Sequence, residues 1–139
     1  GKATRVLDLM IDHAHGRKQF GQPIGDFQMV QKMLADSAME ISAARSALLD
    51  TASFIDLGGD ARAEISMVKV QASEMLGRVV DRAVQVFGGS GYAKGLPIER
   101  YYRDARIYRI FDGTSEIHRS VIARSLINGA PQLYDIGAQ

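Results

Sequence analysis

The strongest constraint on this chain is the spacing of its apolar residues, which recur every three or four positions along two long stretches and nowhere alternate in twos. A period near 3.6 lines side chains along one stripe of an α-helix, whereas a half-buried strand needs a period of two. In the first stretch Phe27, Val30, Met33, Leu34, Ala38, Ile41, Ala44, Leu48, Ala52 and Ile55 define the stripe, Asp26 stands where an N-cap belongs, and Gly58-Gly59 stop the helix. In the second, Asp60 is placed to cap a helix carrying Ile65, Val68, Ala72, Met75, Leu76, Val79, Ala83, Val86 and Phe87, and Gly88-Gly89-Ser90-Gly91 ends it. About thirty residues of helix span about 45 Å.

Shorter helices complete the pattern. Lys2 to Gly16 carries Val6, Leu7, Met10, Ile11 and Ala14 on one face, and Arg17 to Gly25 reads as a loop. A turn around Gly95 and Pro97 leads into a helix from about Ile98 to Arg106, and a last helix runs from about Thr114 to Asn128 with Ile117, Val121, Ile122 and Leu126 inward. The expected fold is all-α, an antiparallel up-and-down four-helix bundle with long second and third helices, over residues 1–130, followed by a C-terminal tail at 131–139. The long helices exceed what so small a bundle needs, so one end is expected to pack on other domains or subunits.

With 139 residues the chain fits one domain. Its net charge of +1 supplies no global field toward nucleic acid or anionic membrane, so any anion must be met locally. The absence of cysteine removes disulfides, thiolate catalysis and cysteine-ligated zinc. No apolar run reaches the roughly 18 residues of a spanning helix, and no signal-peptide segment is visible. The chain opens at Gly1 and passes straight into helical sequence, so we expect a piece of a longer protein.

Three segments carry candidate chemistry. Gly16-Arg17-Lys18-Gln19-Phe20-Gly21 sets two cations among glycines close to a helix start, a modest anion site that, taken alone, reads first as a solvated turn. Gln85-Val86-Phe87-Gly88-Gly89-Ser90-Gly91-Tyr92 could let backbone approach a phosphate or an adenine, but it lacks the strand before and helix after of a dinucleotide fingerprint and, taken alone, reads first as a helix C-cap. In Arg109-Ile110-Phe111-Asp112-Gly113-Thr114-Ser115-Glu116, Asp112 stands before a glycine turn and a helix start, where it would cap the helix in competition with Thr114 or Ser115.

Taken together and in this order, the segments resemble the C-terminal domain of the acyl-CoA dehydrogenase family. The series Arg-Lys-Gln-Phe-Gly, Phe-Gln, Gln-Val-Phe-Gly-Gly-x-Gly-Tyr, Arg-Asp-x-Arg-Ile-Tyr-x-Ile and Gly-Thr-Ser-Glu-Ile spans residues 1 to about 128. The resemblance implies FAD as cofactor, with Arg17, Gln19, Phe20 and Gln28 at its pyrophosphate and adenine half. Gln85, Gly88 and Gly89 would receive that half from a neighbouring subunit. Thr114 and Glu116 would touch the flavin end, and Gly113 would line the thioester site. It further implies an acyl-CoA substrate, an acceptor such as an electron-transfer flavoprotein, a dimer or tetramer, and a location in bacterial cytoplasm or in mitochondria or peroxisomes of eukaryotes.

In such an enzyme a carboxylate takes the α-proton of the thioester while the flavin takes a hydride from the β-carbon. The family's common base is a glutamate where this chain has Asp112, so reach shrinks by about 1.5 Å against a required approach of roughly 2.6 to 3.2 Å. Asp112 is the base for a repositioned or unusual acyl group, or the base lies elsewhere, or catalysis is altered. Some relatives carry their base just upstream of Gly1. Two other classes stay open: a non-catalytic flavin-binding or nucleic-acid-associated relative, and an oligomerisation bundle that is inactive alone.

Other features read as structure. His13 and His15 point about 200° apart on a helix and cannot share a metal. The methionines fall mostly at core spacing. Arg100, Arg103, Arg106 and Arg109, interleaved with tyrosines, invite a nucleic-acid surface, but Glu99 and Asp104 offset their charge and an internal Arg103–Asp104 pair is expected.

Overall fold

The computed structural model describes residues 1–129. Helix α1 (Lys2–Gly16) is followed by a small antiparallel hairpin, β1 (Lys18–Gln19) and β2 (Gln22–Pro23), and a 3-10 turn at Ile24–Asp26. Helices α2 (Gln28–Asp56), α3 (Arg62–Phe87), α4 (Gly89–Tyr92), α5 (Pro97–Ile107) and α6 (Ser115–Ile127) complete the chain. The fold is an all-α bundle built around α3, which packs against α1, α2, α4, α5 and α6. Residue 130 and the expected tail lie outside the described residues. No helix among the described residues is long and apolar enough to cross a membrane.

The core follows from the 3.6 period. Ala3, Val6, Met10 and Ala14 of α1 meet Val79, Val80, Ala83 and Val86 of α3, and Ile98 and Ala105 of α5 close the cluster. Val6, Met10 and Val79 are wholly buried. Each contributes roughly 1.5–3 kcal/mol by leaving water.

Several expectations change. Asp26 and Asp60 do not cap: α2 and α3 start after Phe27 and Ala61, with no side-chain cap bond. The reason at Asp26 is that the 3-10 turn continues to Phe27, whose N–H donates to the Ile24 carbonyl, so the aspartate falls a residue short. On α2, Leu48 and Ile55 are exposed while Ser37, Ala44 and Thr51 are buried. These small side chains recur every seven residues and form the seam, leaving larger ones to flank it. Ser37 satisfies its hydroxyl on the Met33 carbonyl at 2.7 Å. Ile65 of α3 is likewise exposed.

On α6, Ile117 and Leu126 face outward, whereas Ser115 is buried and His118 and Ile122 are half-buried against the bundle. Polar contacts to α3, described below, set the rotation of this helix against its apolar pattern. The glycine-rich segment also differs from a plain stop. Gly88 ends α3 at φ 60°, ψ −142°, and the chain immediately makes the single turn α4. Gly91 of that turn is buried, and a Cβ there would come within 2.7 Å of the Phe87 Cβ.

Candidate functional site

The chemistry-bearing residues gather at opposite ends of α3. At its C-terminal end Arg17, Gln19, Gly88 and Gly89 line one groove with His13 and Phe87. The last turn of α1 delivers His13 and Arg17, and the Gly88 conformation, accessible essentially to glycine alone, turns backbone into the opposite wall. The imidazole of His13 stacks on the ring of Phe87 with centroids 4.1 Å apart and an interplanar angle of 18°. Burial, and then the adjacent Arg17 cation, hold the His13 pKa below its ordinary value. The groove therefore offers one exposed guanidinium, a flat aromatic platform and a glycine wall without a Cβ. Phe20, Gln28 and Gln85 are exposed and stand outside its lining.

The resemblance had divided Arg17 and the Gly88–Gly89 segment between neighbouring subunits. In this chain both line one groove, because α1 and α3 run side by side in the same direction and end together, with His13 of α1 stacked on Phe87 of α3. The hairpin itself replaces the loop expected there. Its two-residue tip, Phe20-Gly21, has φ of 53° and 84°, the left-handed pair that matches the twist of flanking strands. For a bulky residue this backbone is an outlier. The Phe20 ring is 94 % exposed and touches Phe27 edge-on.

At the other end, Asp112, Gly113, Thr114 and Glu116 form the turn into α6. Thr114 wins the capping competition, its Oγ1 accepting from the Ile117 amide at 3.3 Å. Asp112 is thereby freed from capping. It adopts φ 54°, followed by Gly113 at φ 88°. Left-handed backbone costs a non-glycine residue roughly 1–2 kcal/mol, with aspartate among the more tolerant types. Among the described residues the Asp112 carboxylate makes no hydrogen bond or ion pair, and it is exposed. Its own backbone amide, then the Thr114 hydroxyl, hold the Glu116 carboxyl below its usual range.

Side chains from α3 fasten this turn. Lys69 Nζ donates to the Gly113 carbonyl at 2.5 Å. His118 on α6 lies with Nε2 3.1 Å from the Asp112 carbonyl and Nδ1 3.2 Å from Ser66 Oγ. Glu74 sits between Arg109 and Arg119, with oxygens 3.1 Å from Arg109 Nε and 3.4 Å from Arg119 Nη2. Burial pushes the Glu74 pKa up. The Ser115 hydroxyl, buried nearby but outside ordinary hydrogen-bond geometry, and the two guanidinium groups outweigh that push and leave it lowered.

Sequence reasoning named Asp112, Gly113, Thr114 and Glu116 but missed Ser66, Lys69, Glu74 and the place of His118. No local signal marks them, since their contacts across to α3 span 35 to 52 residues of chain. The expected Arg103–Asp104 pair does not form. Neighbours on a helix diverge by about 100°, so Arg103 instead meets Glu99 one turn back at 3.0 Å, and Asp104 meets Lys2 at 3.4 Å and Arg100 at 4.0 Å. Among the described residues no group of three or more His, Cys, Asp or Glu could hold a metal.

The model of the acyl-CoA dehydrogenase C-terminal domain matches residues 1–127. The chain belongs to the acyl-CoA dehydrogenase family. Among relatives of this acyl-CoA dehydrogenase domain, the probable acyl-CoA dehydrogenase YngJ of Bacillus subtilis is 47% identical over 127 residues, which cover 91% of this chain and 33% of that protein. A solved FAD complex of PigA superposes with a TM-score of 0.86 at 34% identity, covering 89% of this chain and 32% of the other. A glutaryl-coenzyme A dehydrogenase in complex with glutaryl-CoA gives 0.85 at 35% identity, covering 91% and 32%. The domain thus spans about a third of the proteins it matches.

Proposed function

We propose that the full protein containing this domain is an FAD-dependent acyl-CoA dehydrogenase, removing hydrogen across the α,β-bond of an acyl-CoA thioester. The observation that carries this reading is the division of the family's site residues between the two ends of α3. Lys69, beside Gly113, and Gly88 lie about 28 Å apart along the helix at ~1.5 Å per residue. An FAD lying in the Arg17 groove of one chain is thereby set well away from the Asp112–Glu116 turn of that same chain. We read a cofactor that uses both ends as drawing them from two copies of the chain, and the working protein as an oligomer. Fits to FAD come from this chain's own chemistry: a cation for the pyrophosphate at Arg17, a polar partner at Gln19, and glycine backbone at Gly88 and Gly89 that a dinucleotide can approach closely.

FAD, when bound, supplies the hydride acceptor. The domain's part in the reaction is proton handling and alignment. Asp112 is left exposed and without a partner among the described residues by the capping role of Thr114, so its carboxylate is available to take the α-proton. Gly113, whose open side is taken by the His118 ring, follows Asp112 in the chain and would line the thioester site through its backbone. Because the side chain is one methylene shorter than the family's usual glutamate, the acyl group must approach closer to the α5–α6 turn. Electrons would leave through an acceptor such as an electron-transfer flavoprotein. One observation favours a second reading, a flavin-binding relative without dehydrogenase activity: the aspartate itself.

The full-length protein is expected to purify yellow and to bleach when a suitable acyl-CoA is added. Asp112→Ala should keep its flavin and fail to bleach. Reduction retained in that variant would remove Asp112 from the role of base.

A further inference from the structure

We infer that His118 is the positioning residue for Asp112, acting through the Asp112 backbone; the inference rests on the reading of Asp112 as base. A carbonyl oxygen only accepts, so the 3.1 Å contact to the Asp112 carbonyl requires a hydrogen on Nε2 of His118. The other ring nitrogen is braced by Ser66 Oγ at 3.2 Å, and Ser66 is itself buried on α3, with its hydroxyl 3.0 Å from the Arg62 carbonyl. The imidazole therefore bridges the central helix and the peptide that follows Asp112, one of the two that set the direction of its side chain.

Asp112 needs such a brace because its backbone is left-handed at φ 54° while its carboxylate makes no contact of its own among the described residues. If the φ angle relaxed to the ordinary right-handed or extended range, the Cα–Cβ bond would swing and the carboxylate with it. Gly113 completes the device from the other side. A Cβ there would lie 2.8 Å from His118 Nε2, so only glycine lets the ring rest against the turn. Lys69 then fixes the next carbonyl, that of Gly113. With a short carboxylate, the position of the base depends on backbone geometry more than it would for a longer, self-adjusting glutamate. A misplacement of about 1 Å is enough to cost on the order of 10²-fold in rate.

The test uses the full-length, flavin-loaded protein and compares His118→Leu, His118→Gln and Asp112→Asn. His118→Leu keeps a similar volume but donates nothing; it should lose about 10²-fold in kcat with KM for acyl-CoA, flavin content and thermal midpoint little changed. His118→Gln restores a donor toward the Asp112 carbonyl and should recover most of that loss. An unaltered kcat in His118→Leu would overturn the inference. So would a loss that tracks flavin content and thermal midpoint and is not recovered by glutamine, because that pattern marks a merely structural residue. Full turnover in Asp112→Asn would instead overturn the base assignment beneath it, and the two failures are distinct.

Discussion

The ring of His13 lies flat on the ring of Phe87, joining the last turn of α1 to the last turn of α3 at the floor of the Arg17 groove. Burial and the Arg17 charge lower the His13 pKa, so the folded state prefers the neutral ring. A depressed pKa makes the folded state bind fewer protons than the unfolded one. The stability tied to this group is fully present above its ordinary value of 6.5 and is lost as pH falls through the lowered folded value. Denaturation midpoints of the full protein should therefore fall on acidification from pH 7.5 to 5 less steeply in His13→Phe than in the wild type. Equal slopes would remove His13 from the acid response.

Glu74 gives a second pH signature, at lower pH. Its lowered pKa means that its contribution is present above the ordinary carboxyl value of 4.5 and fades as pH falls through the folded value. Since Arg109 and Arg119 are 40% and 53% exposed, solvent screens the pairs, and Glu74→Gln should cost about 1 kcal/mol or less at pH 7. The wild-type advantage, read as a difference in thermal midpoint, should close on acidification. A gap that widened there would contradict the assignment.

Met10 and Met39 separate core from surface. Met10 is wholly buried between α1 and α3, so Met10→Ala should destabilise by about 2–5 kcal/mol. Met39 is 62% exposed on α2. Met39→Ala should move the midpoint of a monomeric preparation by no more than about 0.5 kcal/mol. Denaturant titration of both variants decides the contrast.

The separation of the two ends of α3 predicts complementation between subunits. Arg17→Ala and Thr114→Ala should each release flavin when expressed alone. Co-expressed in equal amounts, they should regain about a quarter of the flavin sites, since half of the pairs are mixed and each mixed pair builds one intact site and one doubly broken one. Placing both changes in one chain should recover none when mixed with itself. Recovery absent from the mixed preparation would mean that a single chain supplies both ends.

Helix existence and order were legible in the sequence because burial alone dictates them: Val6, Met10, Val79 and Ala83 fall where the period places them. Helix rotation was less so. On α6 the apolar residues Ile117 and Leu126 point outward because Ser115 and His118 face α3, and nothing local distinguishes a polar residue with a distant partner from one meant for water. The same blindness hid Lys69 and Glu74. The caps failed for a nearer reason, since a 3-10 turn ahead of α2 shifts the first helical residue beyond the reach of Asp26. The candidate residues themselves were legible through their order along the chain, whereas their grouping required the length of α3.

The hairpin tip holds one further consequence. Phe20 is fixed in place by paired strands and a left-handed turn while almost all of its ring meets water. A ring projecting from a backbone that is already set has only its own side-chain freedom left to lose if another surface closes over it. The hairpin backbone thus comes preorganised, sparing any surface that covered Phe20 most of the ordering cost that a flexible loop would carry.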